Sequence, residues 1–415
     1  MELTQTKFKQ TEVGLIPEDW DLVPFDKIFS FYSTSNYSKA QMSEDDEVGC
    51  IHYGLIHAIT NTKYDLKAGI KYYVTSEQAK YELVCDGDVI MVDASEDLAG
   101  VNKSVEVFGV GNKKYISGLH TYLLRDKKSM LADNFRGILL NSQTVKNQML
   151  QLAVGMKVFG VSKTQLINVK LPLPPLPEQK AIAQVLSDTD ILIQAIEQKL
   201  TKKRAIKQGA MQKLLTPKED WEVKKLGDIA RYRRGSFPQP YGLPQWYDEN
   251  NGTPFVQVYD VDKNMRLKLT TKQKISDLAK DKSVFVEKGN VVITLQGSIG
   301  RIAITQYDAY VDRTLLIFTD YKVPMNKVFF AFVIQEKFRI EKENAPGGII
   351  KTITKEELSK FDIPLPKTKD EQTEIATILS DMDADIEQLE QKLSKYKMLK
   401  QGLMQNLLTG KIRLV

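Results

Sequence analysis

The side chains able to do chemistry are few, and they are badly spaced for it. His52, His57 and His120 are the only histidines and Cys50 and Cys85 the only cysteines in 415 residues. A protein-held zinc ion needs ligands at short helical or hairpin spacings, such as HExxH or paired Cys and His. No such spacing occurs, and the two cysteines lie 35 residues apart, so structural histidines and no metal are expected. Glu222-Val-Lys224 has the E-x-K spacing of one nuclease family. Asp220, however, is too close in sequence to supply the carboxylate from a neighbouring strand, so that spacing is read as chance. There is no P-loop, no G-x-G-x-x-G after a strand, and no (Asn/Asp)-Pro-Pro-(Tyr/Phe) tetrapeptide of the adenine methyltransferase kind. The chain is therefore expected to be non-catalytic and to carry no cofactor of its own.

Its most informative feature lies in the elements instead. The passage EQKAIAQVLSDTDILIQAIEQKLTKKRAIKQGAMQKLLT from Glu178 recurs as EQTEIATILSDMDADIEQLEQKLSKYKMLKQGLMQNLLT from Glu371, without a gap over 39 positions, 22 of them identical. The copies are 193 residues apart, too far for a solenoid of small repeats, so each unit must be a globular domain followed by one long helix. Each unit also opens alike, on Pro17-Glu-Asp-Trp20 or Lys218-Glu-Asp-Trp221, followed by a short amphipathic stretch (Phe25 to Phe29, Leu226 to Ile229).

The domain bodies are rich in β-branched and aromatic runs: VGCIHYGLI, DGDVIMVDA and KYISGLHTYLLR in the first, TPFVQVYDV, KGNVVITLQ and YVDRTLLIFTD in the second. A helical stretch follows in each, Asn134 to Leu152 and Asn326 to Asn344. The spacing of Ser162 with Gln165 and of Thr354 with Glu357 predicts a capping box and a short helix. Proline straps, Leu171 to Pro177 and Ile363 to Pro366, should then run extended into the long helices. Those helices carry apolar residues at coiled-coil spacing (Ile193, Ile196, Leu200; Ile386, Leu389, Leu393, Tyr396, Leu403, Leu407). At roughly 58 Å each, they must pack on something extended. The other copy is the nearest partner, which predicts an antiparallel rod holding the two domains apart.

The expected fold class is thus α/β (α+β), with two mixed domains, two long antiparallel coiled-coil helices and an internal pseudo-two-fold repeat. The boundaries read are 1–17 for an N-terminal segment, 18–171 for the first domain, 172–217 for strap and helix, 218–363 for the second domain and 364–415 for the second strap and helix. The hydrophobic share is 42%, the charged share 27% and the net charge +5, which permits nucleic acid without requiring it. With neither a signal peptide nor an apolar run of about 18 residues, a soluble cytoplasmic protein is expected.

At the doubled helix and its LPLPPLPEQ strap the sequence resembles the specificity subunit of type I restriction-modification systems. Thr11 to Trp20, the LSDTD and LSDMD helix starts, the MQKLLT and MQNLLTGKIR helix ends and Gly297-Ser-Ile-Gly300-Arg301 all fit. The resemblance spans essentially the whole chain. It implies two target-recognition domains, each reading half of a split, asymmetric site in double-stranded DNA across an unread gap. It also implies docking of two methylation subunits and of motor-nuclease subunits, so that S-adenosylmethionine, ATP and Mg would bind those partners. The C-terminal LLTGKIRLV would read into the N-terminal KFKQTEVGLIPEDW if the ends were joined. A coiled-coil scaffold without sequence-specific DNA binding, and a nuclease with an unrecognised site, are the competing readings.

On the DNA reading, phosphates are met by Lys and Arg, and base edges by Arg, Lys, Asn, Gln, Ser and Thr. In the second domain the candidates are Arg231, Arg233 and Arg234, then Gln296, Ser298 and Arg301 around two glycines, and Lys351 and Thr352. In the first they are Tyr53, His57 and Asn61, then Ser95, Asn102 and Lys103, and Lys157, Phe159 and Lys163. For each, an ordinary surface or core role competes. Lys199, Lys202, Lys203, Arg204, Lys207 and Lys213 make the first long helix basic, either as a solvated face or as a contact to phosphate or a methylation subunit.

Overall fold

The computed structural model describes residues 6–97, 100–153, 159–345 and 353–414. Lys157, Lys351 and Thr352 lie outside them. The chain divides into two compact units, Met1–Glu197 with Lys392–Val415 and Gln198–Gln391, so the division falls inside both long helices, Leu176–Leu215 and Lys369–Leu407. Each unit therefore owns part of each helix, where the sequence reading treats the helices as separate segments.

In the first unit Phe29–Tyr32, Thr121–Asp126, Val89–Val92, Ser104–Phe108 and Lys63–Asp65 form a five-stranded sheet in that order. Lys114–Ser117, Val48–Ile51 and Tyr73–Val74 form a second sheet, the first pair parallel. The second unit repeats the scheme with Ala230–Arg234, Leu315–Tyr321, Val291–Thr294 and Ile302–Ile304 in one sheet. Its other sheet joins Gln273–Ile275, Thr253–Val256, Ala309–Val311 and Val284–Val286, with Thr253–Val256 and Ala309–Val311 parallel. Strand interiors such as VIMV and VVIT are buried throughout, as expected for strands covered on both faces.

The apolar run from Val48 reads as one strand but ends at Ile51. His52 caps a helix, Tyr53–Ala58, with its Nδ1 accepting from the Gly54 N–H at 3.1 Å. The stretch predicted from Asn134 to Leu152 is likewise two helices, Arg136–Leu140 and Gln143–Leu152, because the Asn141 amide bonds the Gly137 and Ser104 carbonyls and Ser142 caps anew. Its counterpart Lys327–Asn344 is unbroken. Both capping boxes form, at Ser162 and Thr354. The straps are extended and paired over Lys170–Leu173 with Asp21–Pro24 and Asp362–Leu365 with Glu222–Lys225, but Leu176 and Pro177, expected in the first strap, already open the long helix, where a proline's missing N–H costs nothing.

Inside each unit the long helices run antiparallel, since partners rise on one as they fall on the other. Asp190 and Glu197 pair with Lys400 and Lys397 in the first unit. Lys203 and Lys207 pair with Asp385 and Asp383 in the second. Lys203, Arg204 and Lys207 of the basic end of the first helix are thus matched by acidic residues of the second, a role that reading one helix at a time cannot find. Ile193, Ile196 and Leu200 are buried as the seam requires, whereas Ile386, Leu389, Leu393 and Tyr396 are only half-buried.

Helix and domain share one core in each unit. Ile182, Ala183, Leu186, Leu407 and Leu408 join Phe25, Met91, Leu124 and Phe135, while Met211, Leu215, Ile375 and Leu379 join Phe318, Phe329, Phe330 and Phe332. The repeated Glu-Gln at each helix start explains the repeated Trp. Glu178 and Glu371 accept from the indoles of Trp20 and Trp221 at 2.9 and 3.2 Å. Gln179 and Gln372 accept from the backbone N–H of Ala132 and Asn326, at 2.8 Å in both units. In the first unit the C-terminal Arg413 reaches Glu178 and Asp19, and Gly410 packs against Pro17 and Trp20.

Candidate nucleic-acid interface

In both units the same three connections gather at one end of the sheets. They are the segment after the first central strand, the loop after Val89–Val92 or Val291–Thr294, and the turn before Thr121–Asp126 or Leu315–Tyr321. In the first unit the Asp93 N–H donates to the His120 carbonyl (3.2 Å) and the Tyr53 N–H to that of Leu119 (3.3 Å). In the second the Leu295 N–H donates to the Thr314 carbonyl (2.8 Å).

The first cluster is aromatic and imidazole-rich. Every histidine of the chain surrounds Tyr53, with ring centroids 4.2, 6.1 and 5.6 Å away for His52, His57 and His120. A cavity of about 580 Å³ is lined by these residues except His52, with Lys39, Ser95, Glu96 and Asp97 among the rest. Lys103 Nζ donates to the His57 carbonyl (2.9 Å), and Phe159–Gly160 pairs with Ala94–Ser95. Exposed Lys163 lies over the rings of Phe31 and Tyr122.

The fold therefore brings Tyr53, His57, Ser95, Lys103 and Phe159 together. Asn61 stays half-buried in the turn before Lys63–Asp65, off the cavity. Asn102 is corrected. It is fully buried with a positive φ of 56°, and its amide donates to Met91 Sδ at 3.4 Å, so it supports the loop from beneath instead of facing a ligand. Lys39, Glu96, Asp97 and His120 are sequence-missed members. His120 had a signal, its place just before a strand, whereas Lys39 comes from a distant loop and had none.

Burial first, then Lys103, holds His57 below the usual imidazole range. Burial, with Lys39 and His120 adding repulsion, lowers His52 to about 4. His52 is 2% exposed and its Nδ1 is the helix cap, so protonation would cost both solvation and the cap. Because the folded value lies below the unfolded 6.5, the folded state binds fewer protons between pH 6.5 and 4. Stability from this group is therefore full above pH 6.5, falls as pH drops toward 4, and is lost by about 3 kcal/mol at the acid limit. The second unit has Gln257 at the equivalent N-cap. His52→Gln should flatten that part of the pH profile, read as the difference between wild-type and variant urea midpoints at pH 7.5 and 4.5. An unchanged difference would reject the assignment.

The second cluster is built around a tight loop. Thr294 Oγ1 donates to the Ser298 carbonyl and accepts from the Arg301 N–H (3.0 Å), while the Gly300 N–H reaches the Thr294 carbonyl (2.9 Å). Gly297 and Gly300 have φ of 66° and 81°, and a Cβ at Gly300 would stand 2.4 Å from Phe338, so only glycine fits. The loop presents Gln296 and Arg301 to solvent, with Ser298 half-buried.

Beside it lies a chain that sequence reading missed. Gln257 Nε2 donates to Tyr241 Oη (2.5 Å), Tyr259 Oη donates to Gln257 Oε1, and Arg313 lies over the Tyr241 ring. Burial pushes Tyr259 up to about 12 and raises Tyr241 too, so both stay neutral donors. The three arginines separate along one edge strand. Arg234 pairs with Leu316 at the loop end, and Gly235 lies tight against the Val311 and Asp312 carbonyls; Arg231 pairs with Asp320 at the far end. All three are exposed.

Among the described residues no group of three or more His, Cys, Asp or Glu is arranged for a metal, and no helix is long and apolar enough to cross a membrane. The two clusters instead offer hydrogen-bond donors, acceptors and cations on a similar frame.

A family model described as the type I restriction modification DNA specificity domain matches residues 17–204 and again 218–395. Two relatives from Methanocaldococcus jannaschii are named for the type I restriction enzymes MjaX and MjaVIII as specificity subunits. They are 29% and 27% identical, over 99% of this chain and 97% and 96% of theirs. The solved S subunit of a type I restriction-modification system from M. genitalium shares the fold, with a TM-score of 0.57 at 14% identity over 97% of this chain and 99% of that one. The chain belongs to the type I restriction-modification DNA specificity family, whose domain it carries twice.

Proposed function

We propose that each recognition domain of this specificity subunit reads one half of a bipartite, asymmetric DNA site, and that the paired helices dock methylation subunits. The observation that carries this reading is the sameness of frame and difference of lining. Tyr53, His57, Ser95 and His120 occupy one sheet end, and Gln257, Tyr259, Gln296 and Arg301 occupy the matching end of the second unit. Two copies of one frame with different base-reading groups suit two different half-sites. Family membership favours this over a coiled-coil scaffold. On this reading the chain does no chemistry. S-adenosylmethionine, ATP and Mg belong to two methylation subunits and the motor-nuclease subunits, and the assembly works in the cytoplasm.

The test is single-molecule sequencing of DNA from a host expressing the chain with its neighbouring methyltransferase. A new methylated-adenine motif of half-site, gap and half-site is expected. An unchanged methylome despite an assembled complex that also binds DNA without sequence preference would reject the reading.

A further inference from the structure

The second unit carries a charge network that neither loop cluster uses. Glu390 of the second long helix accepts from Arg204 Nη2 of the first (2.5 Å) and from Lys263 Nζ (2.9 and 3.0 Å). Three residues earlier Glu387 holds Arg266 Nη1 at 3.1 and 3.2 Å. Lys263 and Arg266 belong to one hairpin, bridged at Val261 and Leu267. Its turn is fixed by Asp262 Oδ1, which accepts from the N–H groups of Asn264 (2.7 Å) and Arg266 (2.9 Å).

The other side of this hairpin meets the elements that shape the reading surface. The Ile304 N–H donates to the Met265 carbonyl (3.0 Å), which ties the hairpin to the strand that follows Arg301. The Lys268 N–H donates to the Asp260 carbonyl (2.8 Å), and the fully buried Asp260 carboxylate in turn receives the Gln257 N–H (2.9 Å). Arg301 itself points a guanidinium nitrogen at the Val261 carbonyl. Helix, hairpin and reading loop are therefore joined by named bonds. Each exposed ion pair is weak alone, but two carboxylates holding three cations act as a network. In the first unit Lys63 Nζ reaches the long helix differently, through a bond to Ser187 Oγ, 2.9 Å.

We propose that Glu387 and Glu390 are positioning residues for the second recognition domain, holding the hairpin Val261 to Leu267 and through it the Gln296 to Arg301 loop, so that discrimination at the second half-site depends on these two helix carboxylates. The inference rests on the proposed DNA-reading role of that loop. Its test uses the full chain assembled with its methylation subunits, with bound sites selected from random DNA and sequenced.

Glu387→Arg, which sets like charges against Arg266, and Glu390→Gln should each lower discrimination at second half-site positions about tenfold, with the first half-site unchanged. The charge swap Glu387→Arg with Arg266→Glu should restore it, which a loss of general stability would not allow. Equal losses at both half-sites, no loss at either, or failure of the swap to rescue would each overturn the proposal. A wild-type complex that selects no two-part site would instead overturn the functional reading beneath it.

Discussion

Glu178→Ala is expected to destabilise the first unit by about 3–5 kcal/mol, a large part of the stability of an ordinary domain. Glu178 is 0% exposed and sits in the first turn of the long helix, where a negative charge also suits the helix dipole. Its two oxygens accept from Arg413 Nε (2.6 Å), Arg413 Nη2 (2.8 Å) and the Trp20 indole (2.9 Å). Truncation strands a buried indole N–H and leaves Arg413, which holds a side chain only 14% exposed, with Asp19 as its remaining carboxylate. The cost is that of a stranded buried donor together with two lost charge-assisted bonds, since Arg413 stays paired with Asp19.

The second unit supplies the control. Glu371 makes the equivalent indole bond, but its side chain is 24% exposed and its cationic partner Lys218 is 61% exposed. Water can replace that pairing, so Glu371→Ala should cost several-fold less. Hydrogen exchange read by mass spectrometry on the full chain separates the two. Glu178→Ala should strip protection from Phe25, Met91 and Phe135 peptides and leave those of Phe318 and Phe330 unchanged. Equal effects of the two substitutions on their own units would sink the argument.

This contact also shows why some of the molecule was legible in sequence and some was not. The doubled Trp and the doubled Glu-Gln were visible as a repeat because each is a local string. Their meaning, a clamp between signature and helix start, needs partners about 150 residues apart and could not be read from either string. Local composition and spacing gave the strands as β-branched and aromatic runs, the straps as prolines and the long helices as apolar residues every three to four positions. It misplaced His52 and its helix, because a cap is a single residue inside an apolar run. The basic face of the first helix looked free, since Asp383, Asp385 and Glu390 lie far along the chain.

The candidate site was legible where a loop had its own signature. Gly297 and Gly300 announced a turn that needs positive φ, and Gln296, Ser298 and Arg301 came with it. Asn102 shows the opposite case: an Asn in a polar loop reads as surface, yet the turn buries it under Met91. Tyr241, Gln257 and Arg313 carry no motif and meet only through the fold. Residue type states what a side chain can bond, and topology decides whether it is offered.

That division predicts how two substitutions in the second domain should differ. Gln296 is exposed at the tip of a loop whose backbone is fixed by Thr294 and by two glycines, so its amide is presented on a rigid support. An amide of this kind pairs with adenine at its N6 and N7 edge, a contact worth about 1–3 kcal/mol of discrimination. Gln296→Ala should therefore lower affinity for DNA with the cognate second half-site roughly 5- to 150-fold and leave affinity for a scrambled second half-site unchanged. Arg234 stands exposed at the loop end of an edge strand, and on the proposed DNA reading its long cation is expected to meet phosphate before base. Arg234→Ala should weaken cognate and scrambled DNA alike and reduce the slope of log affinity against log salt by about one. Fluorescence anisotropy on the assembled complex, across a salt series and with each half-site scrambled in turn, reads both quantities. If the two variants lose affinity in the same pattern, or if Gln296→Ala acts through the first half-site, the loop is not the reading element of the second domain.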